Sequence, residues 1–364
     1  MNQIIRALCL LTVVCLSGCG APAGKTEKAP AGNVPAWTFF SQENGNLVSN
    51  KVLDVCYQPF PDGKSYLWVA TEEGLARLNG DKWEAFTVES KTLLPSNVVR
   101  CVEVDPRVPS IVWFGCDGGL ARFDGEKNQW MRYPGPSVRA ITFQNQVLWT
   151  GTFGGIRKFD GNTWTDFTRK RSGLLADEIN VMAVQTDSLW IGTNQGLNRY
   201  FDSRSYWDKF TGAHKVVDMI SGNIRPMDGN SGLVQNQVYD LLVDGQEVWI
   251  ATGGGLSRFS SANQTWTSYT ADHVTWETRD GKRLERPVPG NSGLANNRIL
   301  ALETLNGRLA IGTIEGLNIL KGTTWTLYNQ KNSPLPSNRI NCLELSPDGL
   351  WIGIENHGLA KVVF

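Results

Sequence analysis

LWIGTNQGLNRYFDSRSYWDKFT, residues 189–211, decides the reading of the whole chain. Trp190-Ile191-Gly192-Thr193 has the unbroken apolar character of a buried strand. Asn194-Gln195-Gly196 reads as a tight turn, with Gly196 free to take positive φ. Residues 197–200 read as the returning strand and residues 207–210 as a third. The hairpin recurs as LWVATEEGLARL from Leu67, VWFGCDGGLARF from Val112 and LWTGTFGGIRKF from Leu148. It recurs again as VWIATGGGLSRF from Val248, LAIGTIEGLNIL from Leu309 and LWIGIENHGLAKV from Leu350, making seven copies.

The third strand carries Trp, two residues, then Phe or Tyr. It follows six of the hairpins, from Trp83, Trp130, Trp164, Trp207, Trp266 and Trp325. The seventh copy, Trp37-Thr38-Phe39-Phe40, stands before the first hairpin, and no such strand follows the last one. A linear array of repeats has whole units or caps at its ends. The offset instead predicts an all-β, seven-bladed β-propeller with four antiparallel strands per blade. Its ring is closed by the N-terminal strand, residues 37–40, which completes the C-terminal blade built from residues 338–364 and leaves no open edge. The innermost strand of each blade is read at residues 52–56, 98–104, 138–143, 179–184, 238–243, 299–304 and 340–345. The period is about 40 residues, as propeller blades require.

The chain has 14 tryptophans. The outer-strand and hairpin patterns account for all of them but Trp276, with Ala310 standing where one hairpin has lost its Trp. In a strand, Trp and the aromatic three residues on point to opposite faces. Two apolar faces suit a sheet packed between two others.

The hairpin Leu-Trp-Ile-Gly-Thr, two residues, Gly-Leu, together with the lead-in Asn-Ser-Gly-Leu, two residues, Asn, resembles the two-component regulator propeller repeat. The lead-in stands at residues 230–236 and 291–297, with weaker forms at 332–338, 172–179 and 93–97. The resemblance covers residues 37–364. It implies an extracytoplasmic sensing domain of the kind often coupled to kinase or transcription modules, although here no module follows the last blade.

Residues 1–18 read as a lipoprotein signal peptide. Arg6 gives a positive start, and residues 7–16 form an apolar core too short for a permanent membrane span. Leu16-Ser17-Gly18-Cys19 resembles a bacterial lipobox, which implies acylation of Cys19. Gly20 after the cysteine resembles the outer-membrane sorting pattern. Residues 19–36 lack large apolar side chains and read as a lipidated Cys followed by a flexible tether. The expectation is a monomeric body, residues 37–364, lipid-anchored in the cell envelope. In a Gram-negative cell that means the outer membrane, facing periplasm or surface, with membrane contact through the lipid alone.

Lys plus Arg equals Asp plus Glu at 35 each, for a net charge of zero. That balance lacks the basic field of a nucleic-acid binder. Helical periodicity is confined to a turn or two around residues 215–220. Cys56, Cys101 and Cys342 fall in innermost strands, and Cys116 replaces a hairpin Thr; all four read as buried free thiols. Cys101 and Cys116 are the one pair placed to be tested for a bridge. No metal-ligand spacing, P-loop, Gly-x-Ser-x-Gly or dinucleotide fingerprint is present, so no catalytic residue, metal or cofactor is assigned.

Two connections are much longer than the rest: GAHKVVDMISGNIRPMDGNSGLVQNQ after Thr211 and ADHVTWETRDGKRLERPVPGNSGLANNR after Thr270. In a four-stranded meander both emerge beside the hairpin turns, from adjacent blades. Long loops on a rigid scaffold commonly carry function. The candidate ligand-binding residues on that rim are Trp276, Arg279, Arg283, His273, His214, His357, Phe153, Asn194 and Glu315, with Arg286 nearby. Trp276 would be an apolar platform, and the charged groups would orient a ligand. Three readings follow: recognition of a small molecule or glycan, docking of another envelope protein, and a metal-assisted lyase or hydrolase. The third would need His273 with Asp272, or His357 with Glu355, to work as an acid–base pair.

Overall fold

The computed structural model describes residues 35–90, 93–217, 224–279 and 282–364. The signal peptide, Cys19 and most of the tether lie outside the described residues. So do the side chains of His214, Trp276, Arg279 and Arg283.

Seven four-stranded antiparallel sheets form the body. Six are built from consecutive strands; Val52–Pro59, Ser65–Thr71, Gly74–Asn79 and Lys82–Phe86 make blade 1. The seventh is assembled from both ends of the chain. Ala36–Phe40 lies against Gly358–Val363, with Ala36 opposite Val363 and Phe40 opposite Leu359. The chain is therefore a closed seven-bladed β-propeller.

The core is divided among seven apolar clusters, one per interface between blades. Each outer strand feeds two of them. Trp83 packs into the interface of blades 7 and 1, and Phe86 into that of blades 1 and 2. At the ring closure Trp37 reaches the interface of blades 6 and 7, and Phe40 that of blades 7 and 1. Phe40 sits 5.4 Å from both Trp83 and Trp351. Where Ala310 replaces the hairpin Trp, Phe39 and Phe364 pack against the cluster instead.

The repeat residues have identifiable jobs. A Cβ on Gly192 would stand 2.6 Å from Val238 of the next blade, so glycine at that position sets how closely blades approach. Gly232 and Gly293 leave room for Trp266 and Trp325 in the same way. The lead-in asparagines tie each connection to the strand before it. Asn291 accepts from Thr270 N at 2.7 Å and donates to Ser268 O at 2.9 Å, while Asn297 accepts from Ala271 N at 2.7 Å. Asn44 and Asn50 do the same at the ring closure, accepting from Ser41 N at 2.9 Å and Gln42 N at 2.8 Å. That copy, NGNLVSN, escapes the sequence pattern because it lacks the Ser-Gly-Leu order.

One local expectation is wrong. Lys215 does not begin a helical turn: His214–Val217 is a strand paired with Ile224–Met227. Residues 218–220 fall outside the described residues. The second insertion folds alike, with His273–Arg279 paired to Lys282–Val288. Each insertion is thus a two-stranded arm. Gly229 and Gly290 press on the backbone at residues 211–213 and 270–272, closing the base of each arm. A turn of helix has no core to cover here, whereas a hairpin satisfies its own backbone. All four described cysteines are free, and Cys101, Cys116 and Cys342 are buried.

Candidate functional site

The arms define one face of the propeller. On it the hairpin turns meet the connections between blades, as when Glu72 N donates to Lys51 O at 3.3 Å. The closing strand runs toward that face from Ala36, so the chain enters from the opposite face.

The centre of the arm face is set by a feature repeated in every blade. Each innermost strand carries a register shift one residue from its start, between Val52 and Asp54 in blade 1 and at the equivalent step in the others. A bulge leaves one residue unpaired and re-aims its side chain. The skipped residues are Leu53, Arg100, Arg139, Asn180, Tyr239, Leu300 and Asn341, and all of them line a central cavity of about 480 Å³. They escape attention in the sequence because the bulge that turns them inward is a feature of strand pairing and leaves no mark in the residue pattern.

The cations of the mouth are held by acids of a turn and of a connection between blades. Arg100 makes a two-pronged pair with Asp117, at 2.6 and 2.9 Å. Arg139 pairs with Glu178 at 3.0 Å and lies 4.6 Å from the Phe153 ring centre. Asn180 donates to Asn194 at 2.7 Å, and Asn194 donates in turn to Glu178. Two predicted residues, Phe153 and Asn194, thus join one network with two that were missed, Arg139 and Asn180. Phe153 stays half-exposed, at 50%.

Deeper in the channel stand Asp54, Glu103, Asp240, Glu303 and Glu344. An innermost strand is the inner edge of its sheet, so some of its N–H groups lack ladder partners. Four of these carboxylates supply one: Glu303 accepts from Thr304 N of its own strand at 2.6 Å, and the other three reach a neighbouring blade. Asp54 accepts from Val102 N of blade 2 at 2.9 Å, Asp240 from Leu302 N of blade 6 at 2.7 Å, and Glu344 from Tyr57 N of blade 1 at 2.7 Å. Burial raises Asp54 and Asp240 to about 7, against the opposing pull of these hydrogen bonds. Glu103, with no hydrogen bond lowering it, is pushed up to about 8 by burial and then by the Asp54 and Asp105 carboxylates.

The other predicted residues are spread out. His214 and His273 begin the first strand of each arm, and His357 sits in the turn of blade 7. In the second arm Trp276 pairs with Glu285, Arg279 with Lys282, and Arg283 with Thr278. Exposed His273 bonds through Nδ1 to Ala271 O at 3.2 Å, while Asp272 accepts from Gly290 N at 2.7 Å. His357 bonds to Glu355 O at 2.7 Å, and the Glu355 carboxylate pairs with Arg339 at 3.1 Å. Neither neighbouring acid hydrogen-bonds the imidazole it was paired with. Glu315 is exposed on its turn. Among the described residues no group of three His, Cys, Asp or Glu side chains is arranged to hold a metal ion.

Comparison with family profiles found no match, and neither did comparison with curated proteins. Solved structures match over most of the chain. One is the extracellular domain of a B. thetaiotaomicron protein described as a hybrid two-component system, with TM-score 0.67, 19% identity, and coverage of 90% of this chain and 41% of that one. Another, from a B. thetaiotaomicron protein described as a one-component system, has TM-score 0.63, 20% identity, and coverage of 86% and 38%. Virginiamycin B lyase from Staphylococcus aureus has TM-score 0.61 and 13% identity, and covers 91% of this chain and 100% of its own. The chain spans about two fifths of the length of the two extracellular domains. Its architecture is the seven-bladed propeller, similar in fold to the extracellular domains of two-component regulators and to a lyase alike.

Proposed function

We propose that the chain is an extracytoplasmic, lipid-anchored recognition propeller in a sensing role, binding a soluble ligand on its arm face without catalysis. The ligand is a small molecule or a glycan. The observation that carries this reading is the pair of arms, raised by adjacent blades on the face where the bulged residues open the channel. The closed ring needs neither arm, since the other connections close without one. The entry face, where the tether joins, points the opposite way. Residues 19–35, fully extended, would reach roughly 60 Å at most, enough for an acylated Cys19 to hold the body clear of the membrane.

The test is a glycan array on the soluble body, residues 33–364, followed by titration of the parent and Trp276→Ala. The substitution is expected to weaken binding about tenfold, equivalent to about 1.4 kcal/mol. Unfolding stability is expected to change by less than about 1 kcal/mol, the scale of a surface substitution. Equal loss of fold and binding contradicts the proposal. A second reading, docking of an envelope protein on the same face, draws on exposed Phe153, Met227 and Val274. It predicts a cross-linked partner that is lost when either arm is trimmed.

A further inference from the structure

The hairpin turn of blade 7 is the one that breaks the repeat. In blades 1, 2, 3, 4 and 6 two residues separate the paired ends, as in Thr71 opposite Gly74 and Thr313 opposite Gly316. In blade 7 three residues do, because Ile354 pairs with Gly358. Five turns are braced by a threonine hydroxyl donating to the glycine carbonyl, at positions 71, 152, 193, 252 and 313. Ile354 has no hydroxyl to do so. Asn356 absorbs the extra residue at φ 56°, a region asparagine tolerates better than most residues. His357 takes over the bracing through Nδ1 and Glu355 O. A carbonyl only accepts, so Nδ1 carries the hydrogen of this bond.

This turn overhangs a groove of about 490 Å³ along the ring closure. Phe39, Pro334 and Pro336 line it with apolar surface, while Glu43, Asn356 and His357 supply the polar groups. Asn50 donates to Glu43 at 2.7 Å. Hydrogen bonds from its own backbone, Ser41 and Asn50 hold the Glu43 carboxyl below its usual range, with no Lys or Arg contributing. The groove therefore presents a carboxylate with no Lys or Arg against it, the His357 imidazole, which also helps to lower Glu43, and apolar walls. The complement is a group that donates several hydrogen bonds and carries positive charge beside an apolar body.

We propose that this groove binds a primary ammonium group carried on a ring or short aliphatic body. The inference rests on the reading of the arm face as a binding face and assigns a ligand chemistry to one part of it. An amino sugar and an amine-bearing peptide both offer that chemistry.

The experiment is calorimetric titration of the soluble body with glucosamine disaccharide, its di-N-acetylated form, cellobiose and a lysyl-leucine dipeptide. Parent, Glu43→Gln, a deletion of Asn356 that restores the two-residue turn, and Trp276→Ala are compared. At least one amine probe is expected to bind, and the two amines distinguish the sources. Acetylation, Glu43→Gln and the deletion should each weaken binding about tenfold or more. Glu43 is exposed, so Glu43→Gln should leave the melting temperature unchanged and keep the test valid if the deletion misfolds. Equal binding of the acetylated sugar, undiminished binding by Glu43→Gln, or no binding of either amine overturns the proposal. Array binding that survives Glu43→Gln but is lost in Trp276→Ala overturns the groove assignment while sustaining the arm-face function.

Discussion

A chain lacking residues 35–42 is expected to lose its cooperative unfolding transition, and attaching those residues after Phe364 through an Asn-Gly turn is expected to restore it. The deletion strips the ladder between Ala36–Phe40 and Gly358–Val363. It also empties Trp37 from one interface and Phe40 from the next. Large aromatic truncations in cores each cost about 3–5 kcal/mol, against a total stability of about 5–15 kcal/mol. The bared edge of blade 7 would then offer unpaired backbone to other chains, so self-association should accompany the loss. In the rearranged chain the strand follows Gly358–Val363 directly, as the outer strand does in the other blades. Calorimetry and light scattering read both outcomes. A truncated chain that stays monomeric with an unchanged melting temperature would show that closure contributes little.

Stability is expected to fall as pH rises from about 5 to 8.5, with Glu103→Gln removing a large share of the fall. The sign follows from the channel carboxyls. Glu103 is raised from 4.5 to about 8, and Asp54 and Asp240 from 3.8 to about 7. Between those limits the folded chain holds protons that the unfolded chain has released, so unfolding is favoured by raising the pH. The effect is absent below the unfolded values and complete above the folded ones. A tenfold gain in proton affinity on folding is worth about 1.36 kcal/mol, so Glu103 alone contributes up to about 5 kcal/mol. Asp105 and Asp117 act the other way, but in a lower window. Asp105 is raised by burial but lowered more by Arg107, and Asp117 is lowered chiefly by Arg100. Their contribution is present above about 3.8 and is lost only in acid, which leaves a stability maximum near pH 5. Thermal melts of the parent and Glu103→Gln across this range provide the check. A profile that rises from pH 5 to 8, or one unaltered by the substitution, would contradict the channel electrostatics.

The architecture was legible because its determinants are local and repeated. Trp and Phe three residues apart address two interfaces from one strand, and the displaced copy at Trp37 encodes the closure. The site was legible only in outline. Its face could be inferred from meander topology, since loops of alternate order share a side. Its chemistry could not, because Arg139, Tyr239 and Glu103 lie in different blades and meet only when the ring closes. Their strands read simply as short, largely apolar runs with a few scattered polar residues. The arms were misread at Lys215 because a short apolar run carries no period long enough to separate helix from strand. The significance of His357 was partly visible: ENHG is one residue longer than every other hairpin turn. The groove beneath it depends on Pro334 and Phe39, which the sequence separates by almost the whole chain.

The closure can be tested most directly by a disulfide across the seam. Thr38 and Lys361 are direct cross-strand partners, a separation within reach of a disulfide. In a Thr38→Cys, Lys361→Cys chain, oxidation should form an intramolecular bond rapidly and almost completely. Peptide mapping should join residues near the two ends of the chain, and the neighbouring pair Phe39→Cys with Lys361→Cys should cross-link poorly. Cross-links only between molecules, or equal yields from both pairs, would contradict a ring closed in this register.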